Sequence, residues 1–341
     1  MPERPRLTPA IADVRRAVRE ALTGLPEDAL VLVALSGGPD SLALAGATAF
    51  EAPRAGLRAG AVIVDHRLQE GSDAVAESAA VAARRLGLAP VLVRRVRVET
   101  EGGPEAAARA ARYAALEEAR ASADATAILL GHTLDDQAET VLLGLARGSG
   151  PASLHGMPPV AGAFRRPLLG IRRSVTLAFC SDARLDPWTD PHNADPDYAR
   201  VRARERVLPV LEAALGPGVA EALARTAELL REDDAALTTM AEELAEDLAE
   251  HEEAGLSLSV AALAGNPPAL RHRLIRLAAR LEFGVALTRG QTLEVARLVT
   301  DWHGQAGVDL PGFRAERRAG RLHLVSTRAG ALTGHRPRHY H

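Results

Sequence analysis

The sequence predicts an α/β protein: a parallel five-stranded sheet flanked by helices, followed by a helical linker and a small α+β domain. Three observations predict it. Short aliphatic runs alternate with longer amphipathic stretches through the first two-thirds of the chain, the pattern of βα units laid on a parallel sheet. The first aliphatic run ends in a glycine-rich loop, Ser36-Gly37-Gly38-Pro39-Asp40-Ser41, that opens directly into a helix. From Tyr198 onward the chain turns charged, with leucine and alanine at helical spacing.

Residues 29–35 read as a buried strand and 41–50 as the helix after it. Residues 61–64 form a second strand before a helix over 72–86, and 90–98 a third strand. Pro104 stands where a helix begins, since its missing N–H is a donor that a first turn leaves unpaired anyway, and 105–121 continue it. Residues 125–130 make a fourth strand leading into a helix over 134–146, and a shorter apolar segment follows around 164–169. Glycines and prolines between 147 and 159 break the periodicity and predict a mobile loop. Helices over 270–281 and 288–299, with strands near Val308 and over 322–325, suit a small α+β unit. The resulting division is a catalytic domain over 1–211, a helical linker over 212–253, a small domain over 254–328 and a flexible tail over 329–341.

Composition narrows the function. Hydrophobic residues at 47% and charged residues at 25% suit a 341-residue chain with a sizeable core, which the 3% of aromatics leaves to aliphatic packing. No run approaches the roughly 18 apolar residues of a membrane span, and the amino terminus lacks a signal peptide's apolar stretch, so a cytoplasmic location and no membrane partner are expected. Cys180 stands alone, which excludes an internal disulfide and a thiolate cluster; among Leu177, Ala178 and Phe179 it reads as a small core hydrophobe. A net charge of -3 makes any nucleic-acid surface local. The 41 basic side chains are all arginine, so a lysine Schiff base and a Walker lysine are both excluded.

Position gives the glycine loop its meaning. Ligands of open α/β sheets bind at the carboxyl ends of strands. There Gly37 and Gly38 let backbone approach an anion, the helix start favours phosphate, and Ser36 and Ser41 add hydroxyls: a site for ATP phosphates. A tight turn before a capped helix is the bland alternative. Asp40 would repel bare phosphate, which points to bound magnesium or an ordered donor network. Asp65 and His66 end the second strand at the same edge, suited either to adenosine recognition or to bracing the next loop. Arg109 faces Arg112 and Tyr113 along one helix side; the pair is either directed at a phosphate chain or, with Glu105, ordinary surface charge.

The richest cluster runs from His132 to Thr140. Thr133 and Asp136 fit a capping box, yet Asp136 and Glu139 also share a helical face near His132. Two carboxylates and an imidazole can hold magnesium, bind an amine or accept a proton. Asp190, Asn193 and Asp195 lead into a helix whose Arg200 and Arg204 share a face, solvated charge in the plainest reading. Arg165, Arg166, Arg172 and Arg173 suggest a positive rim suited to phosphodiesters.

Taken together, these segments resemble, in order, the motifs of the tRNA(Ile)-lysidine synthetases, within the PP-loop ATP pyrophosphatases of adenine nucleotide alpha hydrolase-like fold. The segments are the glycine loop, Val64-Asp65-His66-Arg67-Leu68, Glu105 to Tyr113, His132 to Thr140 with Arg147-Gly148-Ser149-Gly150, Arg166-Pro167-Leu168-Leu169, and Asp190 to Arg204. The resemblance covers about the first 210 residues. Two positions depart from the family pattern: Val201 stands in place of asparagine and His192 in place of a small hydroxyl residue.

The resemblance implies adenylation of the wobble cytidine of tRNA(Ile) with a CAU anticodon, release of pyrophosphate, and displacement of AMP by the amine of free L-lysine. It implies ATP and Mg2+ as cofactors, with Asp40 and Asp136 as metal ligands. Asp40, Arg112, His132, Asp136 and Glu139 are the implied catalytic set. Asp136, Glu139, Arg147, Arg200 and Arg204 are implied for lysine and tRNA, and a homodimer stays open. A tRNA thiolase of the same fold, disfavoured by the lone cysteine, an amide or amidino ligase, and a non-enzymatic RNA-binding module are the rival readings.

Overall fold

A computed structural model describes residues 7–65, 71–96, 104–148, 153–188 and 196–327. His66, the acidic loop from Asp190 to Asp195 and the tail over 329–341 lie outside the described residues, as does the side chain of Glu105. The chain divides into two compact units, Met1–Leu230 and Arg231–His341.

The first unit opens with a helix that precedes the alternating strands and helices, α1 (Pro9–Leu22), capped by Thr8. Then come β1 (Leu30–Ala34), α2 (Pro39–Glu51), β2 (Arg58–Asp65), α3 (Ser72–Arg85), β3 (Val91–Arg95), α4 (Pro104–Ser122), β4 (Ala127–Leu129) and α5 (Leu134–Arg147). Two short strands, β5 (Val160–Ala161) and β6 (Phe164–Arg165), precede α6 (Arg173–Asp182), α7 (Ala199–Arg202) and α8 (Leu208–Leu215).

The sheet order is β3-β2-β1-β4-β6-β5. Five strands run parallel, as expected, and the sixth is a two-residue antiparallel edge, β5 on β6. The segment expected as a fifth strand over 164–169 pairs only at Phe164 and Arg165, because Pro167 removes a ladder donor and starts a 3-10 turn. The loop expected to be mobile is pinned at its far end: the Gln137 amide accepts from Met157 N at 2.6 Å and donates to Met157 O at 2.8 Å.

Strand alternation explains the layers. Val31, Val33 and Leu35 face a core completed by α1, α2, α3 and Phe179 of α6, while Leu30, Leu32 and Ala34 face Leu116 and Ala119 of α4. Buried on both faces, β1 needs an unbroken aliphatic run. The chain moves outward from β1 to β3 and then returns to place β4 beside β1. That reversal opens a crevice at the carboxyl ends of β1 and β4.

The second unit holds most of α9 (Val219–Leu248), whose helical pattern gives way at its end to β7 (Ala249–Glu252). β8 (Gly255–Ser259), α10 (Val260–Gly265), α11 (Pro268–Phe283), α12 (Arg289–Thr300), β9 (Val308–Leu310), β10 (Phe313–Arg318) and β11 (Arg321–Ser326) complete it. Its antiparallel sheet, β7-β8-β11-β10-β9, packs Leu258, Phe313, Leu322 and Leu324 against Leu274 of α11 and Val295 of α12. Among the described residues no single helix is long and apolar enough to cross a membrane.

Candidate active site

The glycine loop forms where β1 ends and α2 begins. Gly37 has φ 87°, a left-handed conformation that side chains resist, and its carbonyl accepts from Trp188 N at 3.0 Å. Ser41 Oγ donates to Gly38 O at 3.0 Å and accepts from Ser36 N at 3.2 Å, so one hydroxyl closes the loop on itself. Across the crevice, β4 runs through Gly131 into α5. A Cβ at Gly131 would sit 3.1 Å from both Cα and N of Ser41. Glycine there lets the strand carrying His132 lie directly against the phosphate loop.

Thr133 and Asp136 make the expected capping box: Asp136 Oδ2 accepts from Thr133 N at 2.7 Å, and Asp136 N donates to Thr133 Oγ1 at 3.4 Å. Capping consumes only one carboxylate oxygen. The other, Oδ1, accepts from Arg173 Nη2 at 2.8 Å. Arg173 Nε donates to Asp40 Oδ2 at 3.2 Å, and its Nη1 lies 3.6 Å from Glu139 Oε1. Glu139 is fully buried and takes a two-pronged contact from Arg204, Nε to Oε1 at 2.7 Å and Nη2 to Oε2 at 3.2 Å. Thr176 Oγ1 donates to Asp40 Oδ1. Three of the expected carboxylates thus meet around Arg173, a guanidinium expected only on the positive rim.

Arg173 arrives there by local capping. Asp135 Oδ2 accepts from Arg173 N at 2.7 Å, which satisfies a free amide of the first turn of α6, and Leu134 N donates to Ile171 O at 2.9 Å. Adjacent carboxylates divide the work: Asp135 fixes the helix start, and Asp136 meets the side chain. Arg204 lies in a π-helical stretch, Ala203–Val207, a form that re-aims side chains and that i, i+4 spacing does not reveal.

The charges follow from this packing. Burial lifts Asp40 above its ordinary value against the pull of Thr176 and Arg173, and burial lifts Glu139 against Arg204. Burial also opposes ionisation of Asp136, but Arg173 and the Thr133 amide outweigh it and hold that carboxyl below its ordinary value. His132 is pushed down to about 3, first by burial and then by Arg112. Its Nδ1 has no hydrogen-bond partner among the described residues. Arg112 is depressed by its own burial and makes no hydrogen bond or ion pair among the described residues. Beside it, Tyr113 OH accepts from Arg109 and from Arg166, each at 3.4 Å, and Tyr113 packs edge-on to Phe164.

His132 gives a measurable stability signature. Its folded pKa lies below the unfolded value near 6.5, so between about 6.5 and 3 the unfolded chain binds the extra proton and stability falls as pH falls. His132→Asn is expected to lose less thermal midpoint than the parent protein between pH 7 and about pH 5. Parallel losses would place the imidazole in water.

The remaining expected residues lie further out. Asp65 is buried at the end of β2, beside a cavity of about 410 Å³ lined also by Asp73, Glu77, Val93 and Arg94. Arg147 is exposed at the end of α5, and Arg200 is half-buried on α7. Cys180 is buried, its thiol donating to Pro39 O at 3.4 Å and pushed up to about 12 by burial.

Comparison with known proteins adds two family matches: a PP-loop domain over residues 11–211 and a TilS substrate binding domain over 258–323. The tRNA(Ile)-lysidine synthase of Leifsonia xyli subsp. xyli is 62% identical over 299 residues, 87% of this chain and 90% of the relative. That of Thermobifida fusca is 55% identical over 91% of this chain and 95% of its own length. Among solved structures, the U34-tRNA thiolase NcsA from Methanococcus maripaludis with its [4Fe-4S] cluster matches with TM-score 0.54 and 21% identity, covering 65% of this chain and 80% of that one. The thiolase likeness reports shared fold alone.

Proposed function

The chain belongs to the tRNA(Ile)-lysidine synthase family, ATP-dependent ligases that form a carbon–nitrogen bond, and from that premise we propose how its own residues divide the reaction. The carrying observation is the meeting of Asp40, Asp136 and Glu139 beside the Ser36–Ser41 loop.

In the first step, oxygen 2 of the wobble cytidine, in a CAU anticodon, attacks the α-phosphorus of ATP; the bond to the β-phosphate breaks and pyrophosphate leaves. The loop amides and Arg112 hold the charge that develops on the leaving group. Arg109 contributes to the same field. Asp65, next to its cavity, is suited to adenosine recognition. Neutral His132 accepts or donates a hydrogen bond to the base without adding charge.

In the second step, the ε-nitrogen of free L-lysine attacks carbon 2, and the oxygen departs with AMP. Asp136 and Glu139 hold the ammonium, and one of them takes the proton it must lose before its nitrogen can attack. Arg204 positions Glu139 by its two-pronged contact. Arg147, Arg200 and the small unit over 254–328 contact tRNA, and the protein works in the cytoplasm.

Magnesium fits this donor set. Among the described residues no three ligating side chains are arranged to hold one metal ion by themselves, but magnesium on a nucleotide uses one or two carboxylates plus phosphate oxygens and water. Asp40 would hold it, the open oxygen of Asp136 being left to the amine, and it would neutralise charge on the phosphates. The thiolase alternative gains no support, because the single thiol is buried and held protonated.

The test is direct. Incubation with ATP, magnesium, labelled lysine and a tRNA(Ile) bearing CAU is expected to place label in the tRNA, with one pyrophosphate released per lysine. No label with folded protein overturns the reading.

A further inference from the structure

The contacts of Arg173 differ in kind from those by which Arg204 and Arg19 hold their buried carboxylates. Arg204 grips Glu139 with two prongs, as Arg19 grips Glu51 at 2.9 and 3.2 Å. Paired prongs on one carboxylate are the preferred guanidinium geometry. Arg173 instead spreads one nitrogen to each of three carboxylates, at 3.2, 2.8 and 3.6 Å. Asp136 is the shortest of the three contacts, but Asp40 also accepts from the guanidinium, so giving up Asp136 still leaves Arg173 paired.

Two further facts single out the partner that can be released. Asp136 Oδ2 is committed to Thr133, so the oxygen open to an incoming cation is Oδ1, the one Arg173 holds. The cluster also has charge to spare before the magnesium nucleotide enters: ionised, Asp40, Asp136 and Glu139 carry three negative charges against two positive ones on Arg173 and Arg204, leaving one negative charge that a monovalent cation can meet.

We propose that Arg173 is the resident counter-cation of the amine site, giving up Asp136 Oδ1 to the substrate's ε-ammonium while it keeps Asp40, and thereby setting how tightly that amine is held. This rests on the reading that Asp136 and Glu139 bind the lysine side chain. Arg173 is then a positioning residue. The site also disfavours a guanidinium-bearing substrate, because the niche for a planar fork is already filled.

Lysine affinity of the full-length protein, measured by titration calorimetry with magnesium and a non-hydrolysable ATP analogue, tests this. Arg173→Gln removes the competitor, and lysine is expected to bind about tenfold tighter. Millimolar guanidinium should return that variant to the parent affinity while leaving the parent unchanged. A purely structural Arg173 predicts weaker binding and no guanidinium effect, and either result overturns the proposal. Should Arg173→Gln fail to fold, Arg173→Lys decides: its shorter ammonium cannot span three carboxylates, so affinity a few-fold tighter supports the proposal and equal or weaker affinity overturns it. Asp136→Asn separates the premise from the inference. If it binds lysine as tightly as the parent, the assignment of the amine site fails; if it loses affinity while Arg173→Gln gains none, only the role of Arg173 fails.

Discussion

Asp136→Asn is expected to lower lysine incorporation about a thousandfold while pyrophosphate release stays within about tenfold of the parent. The asymmetry follows from the two oxygens. An asparagine oxygen still accepts from Thr133 N, so the capping box persists and the stability loss is about 1 kcal/mol. The charge facing Arg173 is lost, and with it the acceptor for the lysine ammonium. Asp136→Ala, by contrast, removes cap and charge together and costs about 2 to 3 kcal/mol. Thermal midpoints recorded beside the two product assays check both halves. Equal loss of both products in Asp136→Asn, with a midpoint as low as that of Asp136→Ala, would leave the carboxylate with a capping role only.

Gly131→Ala is expected to cut pyrophosphate release about a hundredfold. Its Cβ would lie 3.1 Å from Ser41 Cα, 3.1 Å from Ser41 N and 3.2 Å from Asp40 C, all backbone atoms that cannot rotate away. The phosphate loop must therefore shift by a few tenths of an ångström, and stability falls by about 1 to 3 kcal/mol. Gly170→Ala is the control, since a Cβ there meets nothing within 4 Å. A Gly131→Ala protein with parental pyrophosphate release would show that the strand end and the loop move independently.

What the sequence made legible was local. The aliphatic run of β1, the glycine turn and the helix start are contiguous, and Thr133 with Asp136 are three residues apart, so spacing alone places them. Arg173 was visible only as one arginine among a rim of four. Its contact with Asp40 spans 133 positions and depends on Asp135 fixing the first turn of α6, which no periodicity encodes. Gly131 was equally silent, because its reason is the first turn of α2, remote from it in sequence. The short β5 edge and most of the second unit's sheet escaped for a related cause: two- to six-residue strands with polar faces carry little alternation, and antiparallel pairing supplies the stability that propensity does not.

The burial of Cys180 beneath the Pro39 carbonyl bears on how this protein's acid–base chemistry can be followed. With that thiol moved to about 12 and no lysine anywhere in the chain, neither a protein thiol nor a protein primary ammonium side chain overlaps the range where a free primary amine loses its proton. The alkaline limb of its catalysis is therefore a nearly unobstructed window on the protonation of the substrate itself.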